Sequence, residues 1–98
     1  SDGSIRNGYE LRIANKAPRT RRFWIEVTGL DVKVEVVGGG MSKAASVEVG
    51  PDQTRELRVL LTAAQAPPNP ATPIAFAIIG SDDKLAAETK DFFRSGAQ

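Results

Sequence analysis

Phe23-Trp24-Ile25-Glu26-Val27-Thr28-Gly29-Leu30-Asp31-Val32-Lys33-Val34-Glu35-Val36 is the stretch that decides the fold. In its first half Phe23, Ile25 and Val27 alternate with Trp24, Glu26 and Thr28; in its second, Val32, Val34 and Val36 alternate with Lys33 and Glu35. Successive side chains of a strand point to opposite faces, so period-two alternation reads as two half-buried strands, with residues 29–31 as the turn between them. The same period continues outward in both directions. Upstream, Tyr9, Leu11 and Ile13 alternate with Glu10, Arg12 and Ala14. Downstream, Val47 and Val49 flank Glu48, Leu57, Val59 and Leu61 alternate with Glu56, Arg58 and Leu60, and Ile74, Phe76 and Ile78 form a further set. A weaker strand is expected over residues 87–93.

Turn-forming residues separate these runs at 15–18, 29–31, 38–40, 50–53, 67–73 and 80–83. Short alternating strands punctuated in this way predict an all-β, immunoglobulin-like antiparallel β-sandwich of seven to eight strands, one domain over residues 1–98. Residues 63–66 and 82–90 tempt a helical reading, but each is too short or too poorly periodic to form a layer. Pro67, Pro68, Pro70 and Pro73 make a stiff, extended connection, read here as a crossover between sheets, because proline fixes φ and lacks the amide donor of a ladder.

The composition excludes several chemistries. There is no Cys and no His among the 98 residues. That removes disulfides, thiolate nucleophiles, iron–sulfur ligands, the usual neutral-pH proton shuttle and the commonest transition-metal ligand. Thirteen Lys and Arg against twelve Asp and Glu leave a net charge of +1, which argues against a general nucleic-acid surface. No apolar run approaches the ~20 residues of a transmembrane helix and no signal-peptide pattern opens the chain, so the sequence as it stands is expected to be soluble.

Few residues nominate themselves for a site. Gly38-Gly39-Gly40 lacks the Lys-Ser/Thr pair of a phosphate loop and reads as a turn. Lys16, Arg19, Arg21 and Arg22 cluster around the first connection and could meet an anion, but a solvated turn is the preferred reading, since no aromatic platform beyond Trp24 accompanies them and the rest of the chain is not basic. Asp82, Asp83 and Glu88 lack the spacing of a calcium loop. Trp24 is different: its parity sets it with Arg22, Glu26 and Thr28 on the face opposite the core. An immunoglobulin topology makes the third and sixth strands neighbours, which would lay the Trp24 strand beside residues 74–79. Those are apolar on both faces, with Ala75, Ala77 and Ile79 outward. Trp24 is then expected over Ala75 and Ala77, either as a ring covering its own sheet or as part of an apolar patch that docks a partner. The candidate interaction surface is Trp24, Arg22, Glu26, Ala75, Ala77 and Ile79.

The opening run Asp2-Gly3-Ser4-Ile5-Arg6-Asn7-Gly8-Tyr9-Glu10-Leu11-Arg12-Ile13-Ala14-Asn15-Lys16 resembles the start of the C-terminal domain of the FixG/CcoG/RdxA family. Arg21-Arg22-Phe23 through Val27-Thr28-Gly29-Leu30, Gly50-Pro51-Asp52-Gln53-Thr54-Arg55 and Pro73-Ile74-Ala75-Phe76 are similar to its later strands and turns. Gly8 departs from a position where the family usually has a larger residue, and Phe92-Phe93-Arg94-Ser95-Gly96 matches the terminal segment loosely. The resemblance implies a parent chain anchored in the membrane, with two 4Fe–4S clusters in an N-terminal part absent here and roles in electron transfer, copper handling and cbb3-type oxidase assembly. It places this domain on the periplasmic side and implies a non-catalytic accessory role. The partner it implies is the parent membrane domain, an oxidase subunit or an assembly factor, with no nucleic acid. Copper delivery by the domain itself and a carbohydrate-binding or adhesive sandwich are the alternatives. The first lacks ligands, and the second is thinly supplied with aromatics.

Overall fold

The computed structural model describes residues 3–37 and 45–95. Seven strands are found among them: β1 (Ile5–Asn15), β2 (Arg21–Thr28), β3 (Lys33–Val37), β4 (Ser46–Val49), β5 (Gln53–Ala63), β6 (Ala71–Gly80) and β7 (Leu85–Arg94). They form an all-β sandwich: a three-stranded sheet in the order β1-β5-β3 packs on a four-stranded sheet in the order β4-β2-β6-β7. Every pairing is antiparallel. The Gly38-Gly39-Gly40 turn lies outside the described residues.

The alternation read from the sequence is the inside–outside alternation of the strands. Leu11 and Ile13 of β1, Phe23 and Ile25 of β2, Val47 and Val49 of β4, Leu57, Val59 and Leu61 of β5, and Ile74, Phe76 and Ile78 of β6 are all buried in one core. Val34 and Val36 of β3 are only half-buried against it. Phe23, Phe76, Phe93, Val59 and Leu61 are sealed from solvent. Burying a side chain of this size is worth ~1.5–3 kcal/mol, and this is the main term that holds a disulfide-free sandwich together. The last strand is longer than residues 87–93, and of its ten residues only Phe93 is buried. The segment 82–90, which tempted a helical reading, supplies its turn and first half.

The Trp24 strand does neighbour the sixth strand, but as the second strand of the chain rather than the third. The third, β3, pairs with β5 in the opposite sheet. The proline-rich connection carries the chain from β5 in one sheet to β6 in the other, as a crossover. Pro73 itself lies inside β6, opposite Phe92 of β7, beyond the point where the β2 ladder ends at Thr28–Ala75. A missing amide is tolerated there because no second strand needs it.

Gly29 explains why β2 stops. Its φ is +100°, and a Cβ at this position would stand 2.5 Å from the Pro73 carbonyl oxygen, so only glycine lets the turn pass against that backbone.

Candidate functional site

The outer face of the four-stranded sheet carries every residue nominated as an interaction surface, and the register decides how they meet. Across β2 and β6, Trp24 stands directly opposite Ile79, Glu26 opposite Ala77 and Thr28 opposite Ala75. The residue directly across the ladder from Trp24 is thus Ile79, with Ala77 on the diagonal. Directly opposed residues have Cβ atoms ~5 Å apart, so Ile79 is its immediate neighbour and the alanines lie further down the same face.

Extending each row to the outer strands shows what sequence reasoning missed. Ile79 pairs on its far side with Leu85 of β7, across a register shift at Ile78/Ile79, and Trp24 pairs with Ser46 of β4. One row thus runs Leu85, Ile79, Trp24, Ser46. Leu85 is 60% exposed, the most exposed large hydrophobic residue described. It had no signal of its own, because the pairing that brings it to Ile79 skips Ala86.

Polar residues rim this row. Arg22 donates from Nη1 to Ser46 Oγ (3.1 Å) and pairs through Nη2 with Glu48 (2.9 Å), which fixes the guanidinium beside Trp24 along β4. Both members of that ion pair are about half exposed, so its worth lies in position more than in energy. On the other side Glu26, Ala77 and Glu88 form the next row, and Thr28, Ala75 and Lys90 the one after. Pro73 and exposed Phe92 close the far end, about six residues or ~20 Å from Trp24 along β6.

The other candidates are dispersed by the fold. Arg21 turns away from Arg22: its guanidinium lies 5.0 Å over the Phe23 ring and reaches Asp82 at 4.0 Å. Lys16 and Arg19 stay exposed in the first turn. Asp82 Oδ1 accepts the Lys84 amide (3.1 Å) and Asp83 takes a φ of 63°, so both are turn residues. Glu88 stands on the outer face opposite Ala77.

Among the described residues no three His, Cys, Asp or Glu side chains group as metal ligands. An open depression of about 580 Å³ on the other sheet mixes Arg6 and Lys33 with Asp31 and Glu35 at its rim.

Two polar devices, neither nominated beforehand, tie the sheets together. At the end of β1, Asn15 is 1% exposed; its Nδ2 donates to the Arg19, Val49 and Gly50 carbonyls (2.8, 2.9 and 3.0 Å) and its Oδ1 accepts the Ala17 amide (3.0 Å). Nearer its start, β1 grips β7. Asn7 bonds both the amide and the carbonyl of Arg94 (2.9 Å each), and the Tyr9 hydroxyl donates to the Phe92 carbonyl at 2.8 Å. The Tyr9 ring also meets Phe76 edge-on, with centroids 5.0 Å apart. Burial, reinforced by the Asp91 carboxylate, pushes the Tyr9 phenol up to about 12.

Comparison with known proteins places this architecture. The family model for the immunoglobulin-like fold at the C-terminus of FixG, a protein to which oxidoreductase activity is ascribed, matches residues 1–96. The chain is 32% identical over 65 residues to the nitrogen fixation protein FixG of Rhizobium meliloti, covering 63% of this chain and 12% of that one. It is 41% identical over 73 residues to protein RdxA of Cereibacter sphaeroides, covering 74% and 15%. The matched stretches are thus a small part of those relatives' length. Among solved structures, a FixG-related protein from Vibrio parahaemolyticus superposes with a TM-score of 0.76 at 23% identity, over 97% of this chain and 83% of that one.

Proposed function

The chain belongs to the family of immunoglobulin-like domains at the C-terminus of FixG, and from that premise we propose that it is a non-catalytic interaction module of a FixG- and RdxA-like protein. It docks through the outer face of its four-stranded sheet. The observation that carries this reading is the row Leu85, Ile79, Trp24, in which apolar side chains from three strands stand side by side, rimmed by Arg22–Glu48, Glu26 and Glu88. An aromatic anchor with apolar neighbours inside a charged rim is the usual composition of a protein-binding hot spot. The occupant we infer is the remainder of the parent chain. The relatives are several times longer than the matched stretch, and a tethered surface is met at high effective concentration. An oxidase subunit or assembly factor is the rival occupant.

The family resemblance supports a position on the periplasmic side of the membrane, beside copper handling and cbb3-type oxidase assembly. The donor set here does not fit an iron–sulfur cluster or a copper site: without Cys or His there is no thiolate or imidazole to ligate. The 4Fe–4S clusters that the resemblance implies are therefore held elsewhere in the parent chain, and no redox step is assigned to this domain.

The test is Trp24→Ala and, separately, Leu85→Asp in the full-length parent protein, read by site-specific cross-linking from the outer face, with thermal unfolding of the 98-residue chain measured in parallel. Both substitutions are expected to abolish cross-links to the rest of the parent chain. Leu85→Asp should leave the melting temperature within a few degrees, because an exposed surface change costs ~0.5 kcal/mol or less. Intact cross-linking with lowered stability of Trp24→Ala would show that the ring only covers its own sheet. Cross-links to a separate protein would point to the rival occupant.

A further inference from the structure

The two edges of the four-stranded sheet are treated differently. On β4 one outward group is capped by a side chain: Arg55 donates to the Glu48 carbonyl (2.8 Å). On β7, only the C-terminal end is closed. In an antiparallel ladder alternate residues turn their N–H and C=O toward one neighbour and the rest turn them away. The even-numbered residues of β7 are the outward set. Both backbone groups of Arg94 are taken by Asn7, the Phe92 carbonyl by Tyr9, and the Phe92 amide by Asp91 Oδ1 at 2.7 Å. The same parity turns the backbone groups of Glu88 and Lys90 outward, and among the described residues no side chain and no loop bonds them. Around them every residue from Leu85 to Phe92 is exposed.

An open edge recruits another strand unless something repels it, and charged side chains are the common guard. Here the charges select one partner. A second β7, laid antiparallel about a two-fold axis through Thr89, sets Glu88 opposite Lys90 of the partner subunit and Lys90 opposite Glu88 of the partner subunit. Thr89 then faces its own copy, and Ala87 faces the oppositely placed Asp91. Glu88 and Lys90 of each copy share the outward parity, so they meet as hydrogen-bonded pairs, two backbone bonds to each. Moving the axis to Glu88 or to Lys90 opposes like charges directly, which is unfavourable across strands. We infer that this chain pairs with a second copy of itself through residues 87–91 of β7, joining the two four-stranded sheets into one of eight. Tyr9 and Asn7 bound the paired segment, because they already occupy the edge at Phe92 and Arg94.

Charge swaps test the register as well as the dimer. Sedimentation equilibrium of the 98-residue chain over a concentration series should show a monomer–dimer equilibrium. Glu88→Lys or Lys90→Glu turns both cross-strand ion pairs repulsive and should weaken the dimer on the order of tenfold. Mixing the Glu88→Lys chain with the Lys90→Glu chain should restore the original affinity, and the double swap in one chain should restore it too. Thermal unfolding of each variant confirms that these exposed changes leave the fold intact. A chain that stays monomeric to about 1 mM overturns the inference, as do single swaps without effect or a mixture no tighter than either swapped chain alone.

Discussion

Replacing Asn15 with alanine is expected to cost more than any other polar substitution in this domain. The side chain makes three donor contacts and accepts one amide, and it is 1% exposed, so water does not replace what is removed. A net hydrogen bond is worth ~1 kcal/mol, and the side chain commits both Nδ2 hydrogens and its Oδ1 to such bonds. Together these give a loss of about 3 kcal/mol, since the two hydrogens of Nδ2 are shared among three acceptors. For a domain of this size that corresponds to a fall in melting temperature of roughly 12–24 °C, measurable by calorimetry or by circular dichroism with urea. Asn7→Ala, whose bonds to Arg94 are exposed, should lose only about 1 kcal/mol. Asn15→Asp keeps the shape and the acceptor but aims a carboxylate at three carbonyls. Burial and those oxygens raise the introduced carboxyl above its unfolded value, so its stability is greatest below the unfolded pKa and falls as pH rises through the folded one. Asn15→Ala should show no such slope relative to the parent. A loss below about 1 kcal/mol for Asn15→Ala, or an Asn15→Asp variant as stable at pH 8 as at pH 4, would refute the reasoning.

Two further outcomes follow from single contacts. The Tyr9 phenol is raised from 10.0 to about 12, so its contribution is fully present below pH 10 and is lost as pH climbs through about 12. A Tyr9→Phe variant should be less stable at pH 8 yet show a shallower alkaline decline in thermal melts, and an identical decline would overturn that assignment. Gly29→Ala should cost about 3 kcal/mol, because it combines a positive φ with a collision against the Pro73 carbonyl. Gly50→Ala, whose added methyl meets only the movable end of Gln53, should cost under about 1 kcal/mol in the same chemical denaturation.

Alternation was legible because it is local. Phe23, Ile25, Val27 and Ile74, Phe76, Ile78 announce their faces from residue spacing alone, and these are the faces the core uses, with Val27 only half-buried. The final strand extends beyond its sequence signal because β7 buries only Phe93, so most of it carries no apolar period. Leu85 and Asn15 carry no local signal for a related reason. A lone leucine after a turn and a lone asparagine at a strand end acquire meaning only from residues far away in the chain, Ile79 across a register shift and Val49 across the sandwich.

What the sequence determined by itself is the class of the protein: an all-β domain without cysteine or histidine, outward parity for Trp24 and strands enough for two sheets. Those are properties of composition and of period, and neither depends on which strand lies beside which. Pairing and register are long-range, and a shift by one residue exchanges the two faces of a strand. The tertiary structure therefore decided that Trp24 stands directly opposite Ile79, in one row with Leu85, and that β3 joins β5. It also decided that the β7 edge is open at Glu88 and Lys90.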